Sequence, residues 1–263
     1  MPDLTYSGQI VRQQDPEMFL LSLLMPESAR PALWALFAFR YEIAKTREVV
    51  TETSMGLIRL QWWRDGIAEI YQGRPPRQNE ILPDMARAIA RYGLSQEDFD
   101  TVIYAHEFDL EAKSPATLDG LRHYADFTVS PLVRLSLKIL GQTDTPEIIK
   151  QTAQDYACIK LLRAVPKHMA QSRSFLPDDL MSEHGISLQK ILDFNQKENL
   201  PDVISQVIKT FSPHRNAQSR FVKGMQALTD MHRHHVERYA CDVFHAGLTQ
   251  PPPFMALRLW WAL

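Results

Sequence analysis

The sequence predicts an all-α chain, a single-domain helical bundle. Three observations carry this. Apolar residues recur at three- and four-residue spacing along almost the whole chain, and no Val-, Ile- or Thr-rich alternating segment bounded by hairpin turns stands out. Helix breakers are scattered rather than gathered into a Gly/Ser linker, so no internal boundary or repeat is evident. With 263 residues, 45% of them hydrophobic, the chain can bury a substantial core.

The elements follow in order. A short helix opens at Asp15, where Pro16 and Glu17 suit a helix N-terminus, and ends near Pro26. The next spans about 28–50 and carries Leu33, Leu36, Phe37, Phe39 and Ile43. A third covers about 54–71 and stops at Gly73, Pro75 and Pro76. Helical patterns then cover 84–92, 96–111, 118–140 with a break at Pro131, and 146–169 with a break or kink near Pro166. Shorter ones at 188–195 and 201–210 precede a long one over 216–244.

Composition excludes several classes. A net charge of -2, from 29 Lys and Arg against 31 Asp and Glu, gives no cationic field for nucleic-acid binding, so no nucleic-acid partner is expected. Cys158 and Cys241 cannot make a disulfide scaffold or a four-cysteine zinc site, which fits a reducing compartment. No stretch reaches the roughly 20 apolar residues of a spanning helix. The first fifteen residues lack a signal core and an Arg-rich amphipathic face. The expected location is the cytoplasm, or the mitochondrial matrix for a processed organellar chain.

Two segments carry a family resemblance. FLLSLLMPESARPALWALFAFRYEIAKTRE, residues 19–48, and IKLLRAVPKHMAQSRSFLP, residues 159–177, resemble the two aspartate-motif regions of the squalene and phytoene synthase family. HEFDL at 106–110 and LRHYADFTVSPLVRLSLKILG at 121–141 fall between them in the family's order. The resemblance implies an isoprenoid-synthase-type bundle around a central cavity, lined here by Phe39, Ile43, Tyr124, Phe127 and Leu161. In active members, aspartates on two facing helices bind magnesium, which stabilises the departing diphosphate of a prenyl substrate.

This chain departs from that pattern at both places. The first two acids of the first motif fall on Ala44 and Lys45, leaving Glu48, with Glu42 on a neighbouring turn as a substitute after a shift. In the second motif the acidic positions hold Ala164, Lys167 and His168, and residues 156–177 contain no Asp or Glu. An early Ser-rich element is replaced by Asp15, Pro16, Glu17 and Met18, and the trailing motif keeps Arg173, Leu176 and Pro177 but has Phe175 in place of Tyr. Lys and Ala cannot coordinate magnesium, and a cation in the cage repels it. No metal and no cofactor are therefore expected.

One branch of the family shares these departures, the squalene and phytoene synthase-like assembly factors of respiratory complex I. The similarity is densest at LLRAVPKH, SFLPDDLMSEHGIS and FNQKENLPDVI and extends to ETSMGLIRLQWWRD and the terminal PPPFMALRLWWAL. It implies a non-catalytic protein that assists assembly of the membrane-bound NADH dehydrogenase, with complex I subunits as partners and a hydrophobic isoprenoid or lipid as ligand. The alternative is an active prenyl transferase using magnesium on Glu42, Glu48, Asp109 and Asp155.

Other groups have a plain structural role beside a functional one. Lys160, Arg163, Lys167, His168 and Arg173 could bind a phosphate or lipid headgroup, or form a solvated face; Asp109 and Arg163 could instead form an internal ion pair. His232, His234, His235 and His245 lack a good ligand spacing, and surface positions are the simpler reading. The last segment, with Phe254, Leu257, Trp260, Trp261 and Arg258, suits either peripheral contact with the inner membrane or docking on the bundle. The expected division is an extension over 1–14, the helical domain over 15–250 and an amphipathic segment over 251–263.

Overall fold

A computed structural model describes residues 4–111, 113–194, 197–213 and 216–263, and its described residues contain helices and no strand. The chain divides into two compact units. The first comprises residues 1–111, 127–145 and 218–222, the second residues 112–126, 146–217 and 223–263.

The first unit begins with a helix that precedes the expected start, α1 (Tyr6–Gln14), followed by α2 (Pro16–Leu23), α3 (Arg30–Ala44), α4 (Thr46–Val49), α5 (Thr53–Tyr71), α6 (Leu82–Tyr92) and α7 (Gln96–Ala105). Thr5 starts α1 by accepting from the Gly8 amide at 3.1 Å. Gly8 lets the helix lie against Trp34 of α3; a Cβ there would sit 2.9 Å from the indole. Asp15 ends α1 and caps α2, accepting from the Met18 amide, with Pro16 in the first helical position as expected. Trp34 stacks on Phe19 at 5.7 Å and donates its indole N–H to the Ser22 hydroxyl at 2.8 Å. The buried indole therefore leaves no donor unsatisfied.

The core of this unit centres on Phe39. Its ring meets Trp63 of α5 edge-on at 5.7 Å and Phe99 of α7 edge-on at 5.4 Å, and all three are essentially inaccessible. Asn79 caps α6 by accepting from the Ile81 and Leu82 amides, and Gly93 closes it in the left-handed conformation.

Helix α8 (Leu118–Leu140) is continuous through Pro131, where a break was expected. The missing N–H costs one backbone bond, and burial of Val129, Leu132 and Val133 holds the flanking turns helical. An ion pair between Arg134 and Asp98, 2.8 Å apart, ties α8 to α7 within the first unit. Asp144 accepts from the Gln218 and Ser219 amides, which fixes residues 218–222 there.

The second unit contains α9 (Pro146–Arg163), α10 (Val165–Ala170), α11 (Asp178–Glu183), α12 (Leu188–Phe194), α13 (Leu200–Lys209), α14 (Arg220–Arg238, from residue 223 on) and α15 (Met255–Ala262). The break expected near Pro166 falls at Ala164. Helix α13 buries Val203, Ile204, Val207 and Ile208 as one stripe. The chain before α8 is pinned to α11: the Asp178 and Asp179 amides donate to the Pro115 and Ala116 carbonyls, and Asp179 accepts from the Leu118 amide. Helix α14 stops at Arg238, short of the expected end near 244, where Ala240 and Cys241 take positive φ.

Candidate functional site

The first motif lies at the end of α3. That helix closes at Lys45, whose amide donates to the Tyr41 carbonyl at 2.9 Å, and the chain restarts as the four-residue α4. Ala44 and Glu48, four apart, therefore do not belong to one continuous helix, and the shared face that a metal-binding pair needs is interrupted. Glu48 is exposed on α4.

Glu42, the substitute acid, is held from two sides. Lys45 Nζ approaches one carboxylate oxygen at 2.5 Å and Arg59 of α5 approaches the other at 2.7 Å. The Lys45 ammonium also lies 4.9 Å from the centre of the Tyr41 ring. Both oxygens that could face a metal are thus occupied by fixed cations. Around them, Tyr6, Val49, Asn79, Glu80 and Ile81 complete a groove of about 310 Å³.

HEFDL, residues 106–110, follows the end of α7 at Ala105 and enters the 3₁₀ turn Phe108–Glu111. His106 is buried, donates through Nδ1 to the Val102 carbonyl at 2.9 Å, and has its pKa lowered by burial, an effect that the nearby Asp109 charge partly offsets. Asp109 is itself buried in the first unit. Arg64 joins α5 to this turn through Glu107 at 2.8 Å.

The second motif belongs to the second unit. Lys160 and Arg163 close α9, Ala164 is the turn, and Lys167 and His168 stand on α10. Phe175, where a Tyr was expected, is buried at the centre of a cluster: Tyr124 lies 5.3 Å away, His168 4.8 Å, and the Arg173 guanidinium 5.3 Å from its ring. Three of the predicted positions, Tyr124, His168 and Arg173, therefore meet on one ring that itself lacks a hydroxyl. Lys160 packs on Tyr156, its ammonium 5.4 Å from the ring. Leu161 is half-buried.

Asp155 is fully buried on α9. One carboxylate oxygen accepts from Arg122 at 3.2 Å and the other from the Ser212 amide at 2.8 Å. Arg122 also donates to the Thr210 hydroxyl at 3.1 Å and to Gln154 at 2.8 Å. Burial pushes the Asp155 carboxyl up to about 6, against the pull of the Ser212 amide and Arg122.

These donor sets do not fit a magnesium cage. Glu42 is neutralised by Lys45 and Arg59, Asp155 is committed to Arg122 and a backbone amide, and among the described residues no three His, Cys, Asp or Glu side chains converge on one point. Of the histidines near the end of α14, His234 and His245 are at the surface, His234 donating to the Asp230 carbonyl and His245 stacking on Tyr239 at 4.2 Å; His235 lies 5.5 Å from the same ring, and His232 departs from the surface reading and is buried.

The positions expected to line a cavity fall in different settings. Phe39 and Ile43 are fully buried in the first unit's core, and Tyr124 is half-buried against Phe175. Phe127 departs from the expected interior position: it is 50% exposed and borders a surface groove with Tyr104, because Arg134 and Asp98 hold its stretch of α8 along α7. Sequence reasoning missed Arg59 and Arg122. Each meets its acid across a separation of 17 or 33 residues, for which no local spacing signal exists.

The squalene/phytoene synthase family profile matches residues 11–246. The human NADH dehydrogenase (ubiquinone) complex I, assembly factor 6 is 30% identical over 97% of this chain and 80% of its own length. The presqualene diphosphate synthase of Rhodopseudomonas palustris is 27% identical over 73% of this chain and 68% of its own. Among solved structures, the squalene synthase HpnC from Alicyclobacillus acidocaldarius superposes with a TM-score of 0.72 at 17% identity, covering 89% of this chain and 93% of that one, a likeness of isoprenoid-synthase-type fold. With a family match that spans both motifs and both units, the chain belongs to the squalene/phytoene synthase family.

Proposed function

We propose that this chain is a non-catalytic family member that assists assembly of respiratory complex I. The observation that carries the reading is the fate of the first motif: Glu42 is clamped between Lys45 and Arg59, so the acid that could replace a lost ligand is already saturated by cations. A site that must stabilise a departing diphosphate through magnesium needs uncommitted carboxylates. Similarity to the human assembly factor along nearly the whole chain supports the role, and complex I subunits are the partners that this reading names.

Membrane contact belongs to the same proposal. No described helix is long and apolar enough to cross a bilayer. Phe254, Leu257, Trp260 and Trp261 at α15 are strongly exposed while Leu259 is buried, a pattern suited to a helix lying at an interface. The chain would then act at the inner-membrane surface where the complex is built. An isoprenoid or lipid is the proposed ligand, with Lys160, Arg163 and Arg173 near its headgroup.

The similarity to presqualene diphosphate synthase sustains a second reading, a prenyl transferase with unusual magnesium ligands. Two measurements separate them. Cells lacking the chain should lose assembled complex I on native gels and regain it when the chain returns. Purified protein given farnesyl or geranylgeranyl diphosphate and magnesium should yield no condensed product. Turnover abolished by Glu42→Ala or Glu48→Ala would overturn the first reading.

A further inference from the structure

The groove beside Tyr104 and Phe127 lies outside both motifs. Along α7, Glu97, Asp100, Thr101 and Tyr104 follow the spacing of one helix face, while Phe99, Val102 and Ile103 fill the core behind them. Phe127 of α8 forms the opposite wall, and with Gln96 these residues border a depression of about 400 Å³. Tyr104 is 67% exposed, an unusual setting for a large ring. The two walls are held in place by the Arg134–Asp98 ion pair, two turns along α8 from Phe127.

The groove combines aromatic walls with negative charge alone. Asp100 is half-buried: its Oδ1 is enclosed without a hydrogen-bond partner of its own, while the carboxyl takes a side-chain hydrogen bond from Gln96. Burial raises the pKa of this carboxyl, which the Arg64 charge and the Gln96 hydrogen bond oppose; the Arg64 guanidinium is itself engaged with Glu107 at 2.8 Å. An anionic ligand would be repelled by Glu97 and Asp100, and a wholly apolar one would strip water from the exposed Glu97 without replacing it. A cation on an apolar stem satisfies both walls and acids, since ring faces attract cations and cover methylenes.

We propose that this groove is a docking site for an Arg or Lys side chain of a partner polypeptide, its stem between Tyr104 and Phe127 and its charge met by Glu97 and Asp100. The inference adds a docking chemistry to the assembly reading and rests on it for the partner being a polypeptide. Arginine is favoured over lysine, because its planar guanidinium stacks on rings and pairs with carboxylates together.

The test uses the full chain and the fluorescein-labelled peptide acetyl-Leu-Ala-Arg-Ala-Leu-amide, read by anisotropy, with the uncharged citrulline peptide as its partner probe. The arginine peptide should bind saturably, and citrulline should weaken it about tenfold or more. Tyr104→Ala, Phe127→Ala and Asp100→Asn should each produce a similar loss with an unchanged melting transition, since Tyr104 and Phe127 project from the surface. Equal affinity for the citrulline peptide, indifference to Tyr104→Ala and Phe127→Ala, or no saturation at millimolar peptide would overturn the proposal. Displacement by phosphatidylcholine vesicles would assign the groove to a lipid ammonium group and overturn the polypeptide assignment. A chain that restores complex I but binds no peptide sinks the groove alone. One that binds peptide but restores nothing sinks the assembly reading alone.

Discussion

Arg59 reaches from α5 to the carboxylate of Glu42 on α3 and holds it at 2.7 Å, on the side opposite Lys45. This clamp is an interhelical tie between α3 and α5. Its members are largely shielded, so the charge-assisted bonds are stronger than those of a fully exposed pair.

Glu42→Gln should lower unfolding stability by about 1 kcal/mol, because both cations lose their counter-charge but keep access to water. Urea denaturation with and without magnesium checks this. The same midpoint with and without the ion is expected for the parent chain; a magnesium-dependent rise that Glu42→Gln abolishes would contradict a structural role.

Asp155 gives a pH dependence of definite sign. Its carboxyl titrates at about 6 in the folded chain, above the ordinary value of 3.8. Between these values the unfolded chain releases a proton that the folded chain retains, so this residue makes stability fall as pH rises from about 4 to about 6, by about 3 kcal/mol in all. Below that window both states are protonated and above it both are ionised, so the contribution is flat. Asp155→Asn should remove this slope from a series of urea midpoints, because an amide cannot titrate.

Gly8→Ala tests the close approach of α1 to α3. The added methyl would meet the Trp34 ring at 2.9 Å, so the indole must shift off Ser22 or α1 must lift. Overpacking of this kind should cost about 1–3 kcal/mol even though Ala is the better helix former. Thermal melting that matched or exceeded that of the parent would show that α1 does not pack as described.

The exposed face of α15 predicts a membrane readout. Deleting residues 251–263, or replacing Leu257, Trp260 and Trp261 with Ala, should sharply reduce cosedimentation with liposomes containing anionic lipid. Unchanged partitioning would remove α15 from the membrane reading.

Much of the helical order was legible because apolar spacing and breakers are local properties. Pro16 at the start of α2, the end of α5 before Gly73 and the break near Pro166 all follow from a few adjacent residues. Helix α1 was not legible, since its sequence is mostly polar and its position depends on Gly8 meeting Trp34. The unbroken course of α8 through Pro131 was equally hidden, because surrounding burial outweighs one missing hydrogen bond.

The sequence by itself determined the all-helical class and the family, because these depend on residue identity and order. Tertiary structure alone decided what the remaining acids do: Glu42 meets Arg59, and Asp155 meets Arg122 and the Ser212 amide. It also turned Phe127 outward beside Tyr104. The reason is physical: a carboxylate's role is set by which cation or amide lies within about 3 Å of it, and such partners come from helices distant in the chain.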